Sequence, residues 1–279
     1  MNPNNPLKQY FRQPAIYIKL PSQGKNYPPG TLTMPPTGEL PVYPMTAIDE
    51  INYRTPDALY NGQATINVIQ SCVPDIKNAW MVPTTDIDTL LIAIRIATHG
   101  HNMDFDTTCP ACQHESEQTI DLRTVLDTIR TADYSRSIHA GDMEIFFKPL
   151  NYQHLNNNNQ MQYENQKLLQ MLPDAEVPEV EKMTALTAAL KKITDITVTA
   201  LAQSIAAVKT PQALVSEPEY IEEMLKNCDS KLFNQIRDCI LDLKASSEMQ
   251  PLKMSCAECK HEYEQAITLD MASFFGSAS

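Results

Sequence analysis

A twelve-residue segment of this chain occurs twice, and it constrains the fold more than any other feature. Cys109-Pro110-Ala111-Cys112-Gln113-His114-Glu115-Ser116-Glu117-Gln118-Thr119-Ile120 returns as Cys256-Ala257-Glu258-Cys259-Lys260-His261-Glu262-Tyr263-Glu264-Gln265-Ala266-Ile267, every shared residue being displaced by 147 positions. Thiolates are soft ligands suited to tetrahedral zinc, and a Cys-x-x-Cys bend presents two sulfurs from one tight turn. Two such bends complete a tetrahedron, so Cys109, Cys112, Cys256 and Cys259 are the candidate metal ligands, one zinc per chain, with iron also compatible with the same four thiolates. The pairs stand much farther apart than the ~15–20 residues usual for this signature. The shared flanking residues restore the argument, because chance pairs would not repeat them.

Those flanks have the period of strands. His114, Ser116, Gln118, Ile120 and Leu122 alternate onto one face, as do His261, Tyr263, Gln265, Ile267 and Leu269, while Glu115, Glu117, Glu262 and Glu264 fall on the outer faces. The expectation is two half-buried strands, paired near the metal, that bring the ends of a long insertion together. A redox dithiol fits less well: that chemistry lowers a thiol pKa at a helix N-terminus, whereas glutamate-bearing strands would raise it. His114 and His261 are read as surface or supporting groups, since four cysteines already close the site.

A closed four-thiolate site has no open coordination position and is structural. Neither His114-Glu115 nor His261-Glu262 continues to the second histidine of a zinc protease. With only 7 glycines in 279 residues, phosphate-cradling loops are not expected, and no Gly-x-Ser-x-Gly elbow occurs. The sequence therefore points away from an enzyme. A net charge of −12 argues against nucleic acid as the partner, and metal loading would change it by only about −2.

No segment reaches the ~20 apolar residues of a membrane span. The start, Met1-Asn2-Pro3-Asn4-Asn5-Pro6, has no signal-peptide character, and 7 cysteines, four in metal spacing, suit a reducing cytosol. Cys72, Cys228 and Cys239 are expected as small core residues.

Along the chain, residues 1–30 form an extended basic arm with Lys8, Arg12, Lys19 and Lys25 and no acidic residue. It is either an edge strand with a frayed end, around Ala15–Leu20, or a segment reaching to a neighbouring subunit. Residues 31–108 form a mixed helical and strand region. Thr46 caps a helix beginning Ala47-Ile48-Asp49-Glu50, Thr55 to Gly62 makes a short one, and Gln63 to about Cys72 another. Thr85 is read as the cap of the core helix Asp86–Ala97, which is apolar on nearly every side. Residues 109–122 and 253–279 make the split zinc ribbon. Residues 123–252 make a mainly helical insertion, with a strand at Met143–Pro149 and helices at Gln153–Leu172, Glu179–Ala207, Pro218–Lys226 and Ser230–Leu243. Asn156 to Asn159 are taken as a solvated face. The fold class is α+β.

Further residues carry a resemblance. Tyr17-Ile18-Lys19-Leu20-Pro21-Ser22-Gln23-Gly24, Glu39-Leu40-Pro41-Val42, Met45-Thr46-Ala47-Ile48-Asp49-Glu50, Thr55-Pro56-Asp57-Ala58-Leu59 and Asn61-Gly62 are among them. Ser71-Cys72-Val73-Pro74, Asp86-Ile87-Asp88, Ile94-Arg95-Ile96-Ala97, Cys109-Pro110-Ala111-Cys112 and Phe274-Phe275-Gly276 complete the set. Together these residues resemble the T-even-type bacteriophage baseplate hub family, whose members are described as hub subunits or hub assembly chaperones. The match is dense from about 15 to 122 and thinner across the insertion.

The resemblance implies a non-enzymatic role in a contractile-tailed phage, binding other hub and tail proteins while the baseplate forms in the host cytoplasm. Whether the chain then stays in the particle is left open. The rival reading is a zinc-ribbon nucleic-acid binder, which would need clustered lysine and arginine where this ribbon carries glutamate. The tail Leu269–Phe275 either anchors a partner or caps the ribbon.

Overall fold

The computed structural model describes residues 5–53, 62–171 and 178–266. The expected helix at 55–62, the C-terminal tail and Ile267 lie outside these residues, apart from Gly62. The chain forms two compact units, one of residues 1–131 with 248–279 and the other of residues 132–247.

The first unit is organised by one helix. β1 (Ile16–Ile18) pairs antiparallel with β2 (Leu40–Val42), and α1 (Ala47–Tyr53), α2 (Gln63–Cys72) and α3 (Thr84–His99) follow. Leu90, Ile92 and Ile94 of α3 are fully buried, and Thr85, Asp86, Thr89 and Arg95 on its other sides are buried too. Burial on all sides is what a helix without a polar stripe requires. Its cap differs from expectation: the helix starts two residues earlier, after Pro83, and Thr85 lies inside the first turn with no capping bond. Proline fixes the entering backbone, and Asp86 N–H closes onto the Pro83 carbonyl at 2.9 Å instead. The Thr46 cap stands. Asp49 N–H donates to Thr46 Oγ1 at 3.2 Å and Thr46 N–H returns to Asp49 Oδ2 at 2.8 Å, a reciprocal capping box.

The Ser22-Gln23-Gly24 turn serves α3. Gln23 and Gly24 take left-handed backbone, and at φ 78° Gly24 holds a conformation that favours glycine. The turn delivers Ser22, whose N–H donates to Asp86 Oδ1 at 2.9 Å and whose hydroxyl donates to Asp86 Oδ2 at 2.5 Å. Tyr27 Oη adds a third donor at 3.0 Å. A buried carboxylate is tolerated only when its lone pairs are met in this way.

Part of the N-terminal arm folds back on its own unit. Arg12 donates to the Ser71 carbonyl at 2.7 Å, Ser71 Oγ at 2.8 Å, Asp49 Oδ2 at 3.4 Å and the Pro44 carbonyl, and lies over the Tyr43 ring. Cys72 is buried beside it, and its thiol is pushed up to about 12 by burial, with Arg12 opposing.

The second unit is a four-stranded antiparallel sheet with helices. β5 (Ser137–Ala140), β6 (Met143–Phe147), β7 (Ile205–Lys209) and β8 (Leu214–Val215) run in that order across the sheet. α5 (Tyr152–Met171) and α6 (Glu179–Gln203) connect β6 to β7, and α7 (Pro218–Asn227) and α8 (Ser230–Ser247) follow β8. Ile145, Phe147, Val208, Leu201, Ile221 and Ile236 meet in its core. The expected helix through Ala207 is corrected here. It ends at Gln203, where Ser204 Oγ bonds the Ala200 carbonyl at 3.0 Å, and Ile205–Lys209 pairs with β6. Ile205 and Val208 bury from an extended chain, so sheet pairing overrides the helical run before them.

The asparagine run is corrected too. Asn157 and Asn159 are exposed, but Asn158 is buried and donates to Gln203 Oε1 at 3.2 Å. Cys228 and Cys239 are half-buried. No described helix is long and apolar enough to cross a membrane.

Candidate metal centre

Each copy of the repeat is half of a hairpin, and each hairpin is local. β3 (Asn102–Thr108) pairs with β4 (Glu115–Asp121), and β9 (Leu252–Ser255) pairs with β10 (Glu262–Gln265). The two repeat strands were expected to pair with each other; each takes the strand just before its own cysteines instead. A tight turn makes the adjacent partner the cheapest to close. Strands β3 and β9 escaped sequence reading because neither Asp104–Thr108 nor Leu252–Ser255 repeats the other.

The two turns have the same backbone. Cys109 N–H donates to the His114 carbonyl at 2.9 Å and Gln113 N–H to the Cys109 carbonyl at 2.9 Å. Cys256 N–H donates to the His261 carbonyl at 2.9 Å and Lys260 N–H to the Cys256 carbonyl at 3.0 Å. Gln113 and Lys260 both sit at φ 60°, left-handed in each copy. Pro110, which has alanine as its counterpart, leaves no mark on this geometry. The alternation also holds: Ser116, Gln118 and Ile120 turn inward, as do Tyr263 and Gln265, and all four glutamates are exposed.

The turns bring all four sulfurs together, every pair within 4.8 Å. Cys109 Sγ lies 3.7 Å from Cys259 Sγ, and Cys112 Sγ 3.7 Å from Cys256 Sγ. A tetrahedron with metal–sulfur bonds of ~2.3 Å has an edge of about 3.8 Å, so these separations fit one metal ion. Cys109 and Cys256 are buried while Cys112 and Cys259 are exposed, so each turn contributes one inner and one outer sulfur. Four thiols this close cannot all ionise without a cation. Cys256 is drawn down to about 6, chiefly by the Cys259 N–H, with help from that of Glu258. At Cys112 the His114 N–H lowers the pKa, but shared protons with Cys259, Cys109 and Cys256, together with desolvation, push it up to about 12. A bound cation would replace those shared protons.

One contact went unforeseen. Thr107, buried on β3, donates to Gln265 Oε1 at 3.1 Å, and its oxygen lies 3.2 Å from Tyr263 Oη. This residue ties one hairpin to the other beside the sulfurs. Its counterpart in the other copy is Met254, so the repeat carried no signal for it.

Comparison with protein families gives one result that spans nearly the whole chain: the family model of the T4 bacteriophage base plate protein matches residues 18–276. The chain belongs to this family. Comparisons with curated proteins and with solved structures find no match. Membership in the T4 base plate family supports a structural role in the phage baseplate and contacts with other tail proteins. The residues that carried the resemblance include the Ser22 turn, the Thr46 cap and the first cysteine pair, and each of them positions part of the first unit.

Proposed function

We propose that the chain is a non-enzymatic baseplate hub protein that acts in hub assembly, as a structural hub component, or as both, through protein–protein contacts. The observation that carries the metal part of this reading is the closed set of four sulfurs from two hairpins far apart in sequence. One zinc per chain would staple residues on either side of the second unit, and with four thiolates it would have no position left for substrate. Zinc is favoured over iron because a closed four-thiolate site is its commonest structural use. Assembly would take place in the host cytoplasm.

The exposed glutamates of both hairpins speak against nucleic acid. Glu115, Glu117, Glu262 and Glu264 form the outer faces where a binder would carry lysine and arginine.

Metal analysis of purified, reduced protein should give about one zinc per chain. Cys256→Ser should lower zinc affinity by more than about 100-fold, the scale already set by loss of a supporting group alone. Two metals per chain, or none, would defeat the shared site. The partner reading is tested by co-purification with the other tail proteins and by looking for the chain in finished particles. Tight binding of duplex DNA at physiological salt would overturn it.

A further inference from the structure

Helix α6 buries Ile196, Val198 and Leu201 in its C-terminal part, but its N-terminal part leaves large apolar residues outward. Between α5 and α6, Asn165 Nδ2 donates to the Ala189 carbonyl at 3.1 Å and Asn158 Nδ2 to Gln203 Oε1 at 3.2 Å. Val180, Met183, Leu186, Leu190 and Ile193 are left exposed, from 38% at Leu186 to 77% at Val180. Steps of three and four residues set them in one stripe along the helix. From Met183 onward the alternation is that of a helix that packs lengthwise against another.

The neighbouring threonines suit a dry contact. Thr184, Thr187, Thr194 and Thr197 donate their hydroxyls to the carbonyls of Val180, Met183, Leu190 and Ile193, at 2.8, 2.9, 3.2 and 2.9 Å. Hydroxyls satisfied within the helix lose nothing when water leaves, and their methyl groups add to the apolar surface.

We propose that this stripe joins two copies of the chain, α6 pairing antiparallel with α6 across a two-fold axis. The stripe is its own complement when reversed. Setting Leu186 opposite Thr187 of a second copy also sets Met183 opposite Leu190 and Val180 opposite Ile193. Glu179 then falls opposite Thr194, one turn from Lys191 of the second copy, so each symmetric end joins an acid to a base. A parallel pair would instead set Glu179 against Glu179 and Lys191 against Lys191. Such a self-complementary patch is what a two-fold dimer requires. With on the order of 100 Å² to cover on each of the five side chains, two copies bury about 1,000 Å², the lower bound for a specific interface, so association is expected in the micromolar range.

Sedimentation of the full chain from about 1 to 100 µM should show a reversible monomer–dimer equilibrium, and Leu190→Lys should weaken it at least 10-fold, with an unchanged melting temperature at concentrations low enough that both chains are monomeric. Glu179→Lys and Lys191→Glu should each weaken it, and the double reversal should restore it. Register is read separately by single cysteines. Leu186→Cys should cross-link to itself, while Val180→Cys should not, because the two Val180 positions lie about 20 Å apart in the antiparallel pair. A chain that stays monomeric overturns the proposal, as does self-cross-linking at Val180→Cys or a double reversal no tighter than the single changes. Coverage of the same stripe by a helix of another tail protein, with no dimer, also overturns it.

Discussion

At the scale of single residues, two buried or strained positions make sharp predictions. Burial raises the Asp86 carboxyl above its ordinary value of 3.8, and the bonds from Ser22 and Tyr27 offset this only in part. The folded state therefore holds the Asp86 proton more tightly than the unfolded state does. Its contribution to stability is fully present below the unfolded value and is lost as pH rises through the folded one. Asp86→Asn should flatten this part of the stability curve in denaturant titrations at stepped pH. Asp88, also raised by burial, should supply the slope that remains. The second position is Gln113, left-handed at φ 60°. Gln113→Val places a β-branched side chain there and should cost about 1–2 kcal/mol, measured as weaker folding of the metal-loaded chain, whereas Gln113→Gly should cost nothing.

Among elements, helices with a strong period or a cap were legible in advance, and strands that depend on a distant partner were not. The Thr46 capping box is local chemistry, complete within four residues, so its signal lay entirely in the sequence. Ile205–Lys209 continues a helical run and becomes a strand only because β6 offers it an edge. The same dependence explains Asn158, which reads as surface until α6 packs on it, and the burial of Asn165. Asn165 Oδ1 has no partner among the described residues, although the side chain is buried. Asn165→Leu should therefore stabilise the second unit by about 1 kcal/mol in thermal or denaturant unfolding, since it removes an unpaired oxygen and adds apolar burial.

For the whole molecule, the four-cysteine cluster and the core of the second unit's sheet and helices belong to different units. The four sulfurs lie in the first unit, and Ile145, Ile221, Ile236 and their neighbours form the core of the second. Calorimetry of the metal-loaded chain should resolve two transitions, and a chelator should lower only the one that belongs to the first unit. A single transition that shifts as a whole would mean that the units unfold together. The sequence by itself determined the two Cys-x-x-Cys turns, whose four sulfurs the structure brings together, and the alternation of the strands that follow. Each of these depends on residue type and spacing over fewer than about ten positions, the range over which backbone geometry is set locally. Only the tertiary structure decided which strands pair, where α6 ends and that Thr107 ties the two hairpins. Those outcomes turn on contacts between residues far apart in the chain, whose energies no local pattern records.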